Sequence, residues 1–169
     1  MSNEKASDAL NIVANALVKA TGKPLSYAQH EQRVAAAKSA AEKRRAHGAA
    51  YQHAARHARH WREFKGADHP ETQKWTQRAR LHWGHVKAHD DAVDAVKQMA
   101  KQDVKGETGG LMRTPEASVQ AWHEFGQDND TGEDQHIGRI GHDLAAQVYK
   151  TVAEEAGHTW NRRHRSSPR

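Results

Sequence analysis

Three histidines stand at 53, 57 and 60 in "YQHAARHARHWREF", residues 51–64. On a helix, steps of four and three place side chains on one face. Three imidazoles there can bind a metal ion, respond to pH, or stand in water. A metal site needs three or four ligands, each about 2 Å from the ion. His53, His57 and His60 would need help from His82 or His89 on a facing helix. The chain has no Cys and no His-Glu-x-x-His motif, so the expectation is no metal and no cofactor. The histidines are expected to edge a helical seam, opposite His82, His85 or His89, mostly within reach of water. Imidazole titrates near ~6.5, so two facing rows would repel each other once protonated.

Other residues could also carry chemistry. "RLHWGH", Arg80 to His85, resembles the R-x(4–6)-H motif of helical HEPN nucleases, which would make Arg80 and His85 catalytic. Leu81 stands where that motif has a polar residue. "DNDTGEDQHIGR" places Asp128 and Asp130 as in a calcium loop, but Glu133 replaces the required Gly and Arg139 the bidentate Glu. An ordinary acidic loop is the expectation. Arg56, Arg59, Arg62 and Arg78 lie near Trp61, Trp75 and Trp83. Arginine pairs with phosphate and Trp stacks on bases, so these residues, with Arg162, Arg163 and Arg165 of the C-terminal stretch, are candidate polyanion contacts. Trp61, Trp75, Trp83 and Trp122 are equally candidate core or interaction anchors.

The elements that position these residues are helical. A short helix over 7–20 carries Leu10, Val13, Ala14 and Leu17, and Gly22 and Pro24 end it. Ser26 and Gln29 have capping-box spacing. From there to Phe64 no proline intervenes, alanine is dense, and Gly48 is the one weak point. Gly66 suits a C-cap and Pro70 a first helical position. The next helix runs to about Val104, with Trp75, Ala79, His82, Val86, Val93 and Ala100 as its stripe. These two long helices should fold back as an antiparallel hairpin. Thr114 and Pro115 start a short helix to Phe125. Residues 126–135 read as a loop. A last helix from about Gln135 to Trp160 carries Ile137, Ile140, Leu144, Val148 and Val152, with Gly138 and Gly141 allowing close backbone approach.

The expected fold is therefore all-α. An N-terminal helix and a long basic hairpin occupy 1–105, a smaller acidic helical segment 106–160, and a disordered basic tail 161–169. Of 169 residues, 29 are Ala, while Val, Leu, Ile and Phe together number 21. Such a core is thin, and self-association or a protein partner would add burial. Residues 28–105 carry a net charge of +7 and 106–160 a net −7. The basic hairpin could meet the acidic segment or an external polyanion. No apolar run approaches the roughly 20 residues of a membrane span, and "MSNEKASDAL" lacks the apolar region of a signal peptide.

The stretch "AAYQHAARHARHW…HPETQKWTQRARLHWGHVKAHDDAV", residues 49–93, is similar to the Ala- and His-rich helical hairpins of tailed-phage head-associated proteins. That resemblance implies a virion or prophage accessory protein in the host cytoplasm or the virion, and supplies no catalytic residues. The functional expectation is a non-enzymatic assembly or interaction protein. The alternatives are a His-dependent metal hydrolase or HEPN-like RNase, and a basic nucleic-acid-binding module.

Overall fold

The computed structural model describes residues 24–129 and 133–160, and over them the chain is all-α, with six helices and no strand. The helix expected at 7–20, the tail arginines Arg162, Arg163 and Arg165, and residues 130–132 of the acidic stretch lie outside the described residues. The chain forms two compact units that meet at residues 88 and 89.

In the first unit, α1 spans Tyr27–Ala36 and α2 spans Ala40–Lys65. The capping box at Ser26 is formed: its hydroxyl accepts from the Gln29 N–H, and the Gln29 side chain accepts from the Ser26 N–H. The single helix expected from here to Phe64 is in fact two. Ser39 forms a second capping box with Glu42, and Ala37 has extended backbone, so the chain breaks before Ser39 and not at Gly48. The Glu42 carboxylate also accepts from the Lys38 N–H. Those backbone donors hold its pKa below the usual carboxylate range. Gly66 ends α2 at a φ of 88°, donating its N–H to the Arg62 carbonyl.

Helix α3, Pro70–Lys105, turns back along α2. Ring contacts pair Trp61 with His69, His57 with Trp75, Tyr51 with Trp83, and His47 with His85. Ascending positions on one helix meet descending positions on the other, which defines the antiparallel hairpin. The pairing runs back only as far as α2 does, so it spans the first half of α3. Alanines do much of the close packing: Ala50, Ala54, Ala58 and Ala79 are buried. A methyl group contributes only about 0.8 kcal/mol. Ring contacts add to this packing, with Tyr27 of α1 laid against Trp75, His53 and His82.

The second unit begins within α3, half a helix before the division expected after residue 105. Ala92, Val96, Met99 and Ala100 of α3 pack with Val119, Ile137, Ile140, Ala145, Val148 and Tyr149 in a larger core. Helix α4 runs Pro115–Asn129, four residues past the expected end, and its Thr114 cap accepts from the Ala117 N–H. The expected last helix is divided into α5, Glu133–Ile140, and α6, His142–Glu155. Gly141 separates them with a φ of 86°. A Cβ at Gly138 or Gly141 would meet nothing within 4 Å. Gly141 thus serves a left-handed backbone and not the close approach expected of it. Helix α4 packs on both α5 and α6.

Candidate functional site: a histidine cluster and an arginine groove

The histidines of the first unit form a ring-to-ring cluster inside the three-helix packing. His53 is buried, 8% exposed, and lies against Tyr27, His30, His57 and Trp75. That corrects the expectation of a wet row: α1 covers the position that two helices alone would leave open. His57 is half-buried and stacks on Trp75. His60 is exposed and touches only the neighbouring rings Trp61 and Phe64 among the described ring contacts. The three expected partners therefore have three different surroundings.

Across the seam, His82 faces His47 and Tyr27, and not the 53/57/60 row. Its Nδ1 lies 2.9 Å from Nδ1 of His47, and its Nε2 2.9 Å from the Tyr27 hydroxyl. His85 stacks on His47. His89 stands beside Asp90. His30 and His47 were missed by the sequence reading. The signal existed: His47 shares the Ala50, Ala54, Ala58 stripe, and His30 follows Tyr27 by one turn.

Burial favours the neutral form of four of these rings, His30, His47, His53 and His82. His30 is pushed down to about 4, first by burial and then by the charges of His53, Arg33, Arg56 and His82. His47 is also pushed down to about 4, by burial and then by His85, His82 and Lys43. His53 is lowered by burial, His57 and Arg56. His82 is lowered chiefly by burial, with Glu31 opposing. Burial raises the Tyr27 hydroxyl, as does nearby Glu31. Two Nδ1 atoms at 2.9 Å share a single proton, with one ring donating and the other accepting. Among the described residues no three His, Asp or Glu side chains are grouped to hold a metal ion.

Three arginines of the hairpin group apart from the histidine cluster. Arg59, Arg62 and Arg80 line a groove of about 360 Å³ with Tyr51, Thr76 and Trp83. Arg62, Thr76 and Arg80 also line a neighbouring groove that includes Gln73 and Gln77. No acidic residue lines either one. The Trp83 ring is 49% exposed and packs at 5.3 Å from Tyr51. Arg80 thus opens on this groove while His85 stacks on His47, so the two residues of the R-x(4–6)-H pattern engage different neighbours. Arg78 lies over the Tyr27 and Trp75 rings, at 4.2 and 4.8 Å. Its guanidinium packs as a cation against these rings. Arg56 is exposed outside the groove lining.

The Trp anchors divide likewise. Trp75 is the ring centre of the first unit. Trp61 stacks on His69 beside the turn, with ring planes 2° apart. Trp122, in the second unit, donates its indole N–H to the Asp103 carboxylate. No helix among the described residues is long and apolar enough to cross a membrane. No protein-family model, curated protein or solved structure matches the chain.

Proposed function

We propose that this chain is a non-enzymatic helical interaction protein whose hairpin binds single-stranded nucleic acid in the Arg59–Arg62–Arg80 groove. The observation that carries the reading is the grouping of three arginines with two contacting aromatic rings in a groove without acidic lining. Guanidinium groups pair with phosphate oxygens bidentately, and an exposed Trp offers a face on which any base can stack. The two interactions together suit a flexible strand, whose bases are free to leave their own stack, better than a duplex. The resemblance of residues 49–93 to head-associated phage hairpins supports a virion or prophage setting, where such a protein would meet nucleic acid.

Fluorescence anisotropy with a labelled oligothymidine tests this. The full chain should bind with an affinity that falls steeply with salt. Replacing Arg59, Arg62 and Arg80 together by Ala should flatten the log–log salt slope by about 2, taking about 0.7 per phosphate contact. Trp83→Ala should weaken binding by about 1–3 kcal/mol with the salt slope retained. An unchanged slope in the triple variant refutes the groove as the binding site. Equal loss of slope on replacing Arg33, Arg44 and Arg45 would reduce the effect to net charge.

A further inference from the structure

The second unit holds a buried carboxylate at the edge of an apolar cavity. Asp103, 4% exposed, stands near the end of α3. Its Oδ2 accepts from the Tyr149 hydroxyl at 2.8 Å and from the Trp122 indole N–H. Its Oδ1 accepts from the Thr108 hydroxyl at 2.9 Å. All three partners are neutral. Among the described residues no Lys, Arg or His stands within ion-pair distance of this carboxylate. A carboxylate has roughly four acceptor positions, so one on Oδ1 is left over. A buried anion is normally matched by a cation, because burial strips its hydration.

The cavity beside it has a volume of about 210 Å³. Asp103, Thr108, Met112, Ala121, Trp122 and Phe125 are among its lining residues. The Trp122 and Phe125 rings meet edge to face, 5.8 Å apart with planes at 89°, and so form two walls of a corner. Phe125 and Met112 remain 50% and 44% exposed, which leaves an apolar rim open to solvent. This volume is below the roughly 300–1,000 Å³ of drug-sized sites. It suits a headgroup of a few heavy atoms.

We propose that this cavity binds an organic cation of the quaternary-ammonium class, held by the Asp103 carboxylate and the Trp122 and Phe125 rings. Methyl groups around the charge would fill the apolar walls. The diffuse positive charge would meet both the ring quadrupoles and the unmatched carboxylate. A hard, strongly hydrated metal cation would gain nothing from such walls, and a neutral apolar ligand would leave Asp103 uncompensated. The site is independent of the arginine groove, since it lies wholly within the second unit.

Calorimetric titration of the full chain tests the proposal with three probes. Choline is the free headgroup, N-acetyl-trimethyllysine amide stands for a modified side chain, and 3,3-dimethylbutan-1-ol is the neutral isostere of choline. At least one cation should bind saturably, and choline should be preferred over its isostere by about tenfold or more. The tighter of the two cations identifies the source of the headgroup. Asp103→Asn is the informative variant. Its carbonyl can still accept from Tyr149 and Trp122, and its amide can donate to a rotated Thr108 hydroxyl, so only the charge is removed. It should weaken the cation by about tenfold or more and leave the isostere unaffected. Ala121→Leu, which fills the cavity from α4, should weaken all binding and keeps the test available if Asp103→Asn unfolds. The proposal is overturned if neither cation saturates, if the isostere matches choline, or if Ala121→Leu binds as the parent does.

Discussion

Acidification should destabilise the first unit through its histidines, and the size of the effect follows from two of them. His30 and His47 have folded values of about 4 against an ordinary value of 6.5. Between those two values the unfolded chain binds more protons than the native one, so stability falls as pH falls. The contribution is complete above pH 6.5, declines through that value, and is lost once the pH has passed about 4. Each fully coupled group loses about 1.4 kcal/mol per pH unit in that window. At pH 5 the two would give about 4 kcal/mol, reduced to about 3 kcal/mol because His47 is only half-buried and partly screened. His53 and His82 are shifted in the same direction and add to the loss. That is a large share of a typical 5–15 kcal/mol. The structural cause is local. His30 faces His53 and Arg56 on α2 and His82 on α3, with Arg33 on its own helix, while the His47–His82 contact has room for only one Nδ1 proton. Urea melts followed by circular dichroism at pH 7 and pH 5 measure the difference. His30→Phe removes one titrating ring whose buried Nδ1 has no hydrogen-bond partner. It should leave pH 7 stability within about 1 kcal/mol and reduce the pH dependence by about half. A midpoint unchanged from pH 7 to pH 5, or a His30→Phe variant with the full dependence, would refute the reasoning.

The other predictions concern packing and caps. Trp75→Ala removes a ring touched by Tyr27, His57 and Arg78 and should cost about 3 kcal/mol. Trp61→Ala, which loses mainly a stack on His69, should cost about 1 kcal/mol; urea midpoints in the reverse order would contradict the packing described. Asp103→Ala strands the Tyr149 hydroxyl and the Trp122 N–H and should cost about 2–5 kcal/mol. Tyr149→Phe, which removes a single hydrogen bond, should cost about 1–2 kcal/mol in the same assay. Ser39→Ala should cost about 1 kcal/mol by removing the α2 cap. Gly48→Ala, in a helix interior where a Cβ meets nothing within 4 Å, should raise the melting temperature, with a gain of about 0.5–1 kcal/mol.

The amino-acid order by itself determined what is local. Dense alanine, the Ser26 and Thr114 caps, Gly66 at a C-terminus and Pro70 at an N-terminus all act within one helical turn, so the helical class and the α2–α3 turn follow from them. The Ser39–Glu42 box was equally local, and the reading of Gly48 as the one weak point passed over it. The face of α2 was legible too: Ala50, Ala54 and Ala58 are buried, as a 3.6-residue period requires. Tertiary structure decided what depends on a third element. Whether His53 is wet or buried turns on α1 lying across the hairpin, which no period on α2 encodes. Arg78 and Arg80 are two residues apart and carry the same charge, yet one packs over Tyr27 and Trp75 while the other opens on a groove. Asp103 is, in sequence, one acid near the end of a helix. Only the approach of Thr108, Trp122 and Tyr149 from 5, 19 and 46 positions along the chain makes it a buried, hydrogen-bonded carboxylate. Helical propensity is a sum over neighbours in sequence, whereas burial and charge state are set by neighbours in space.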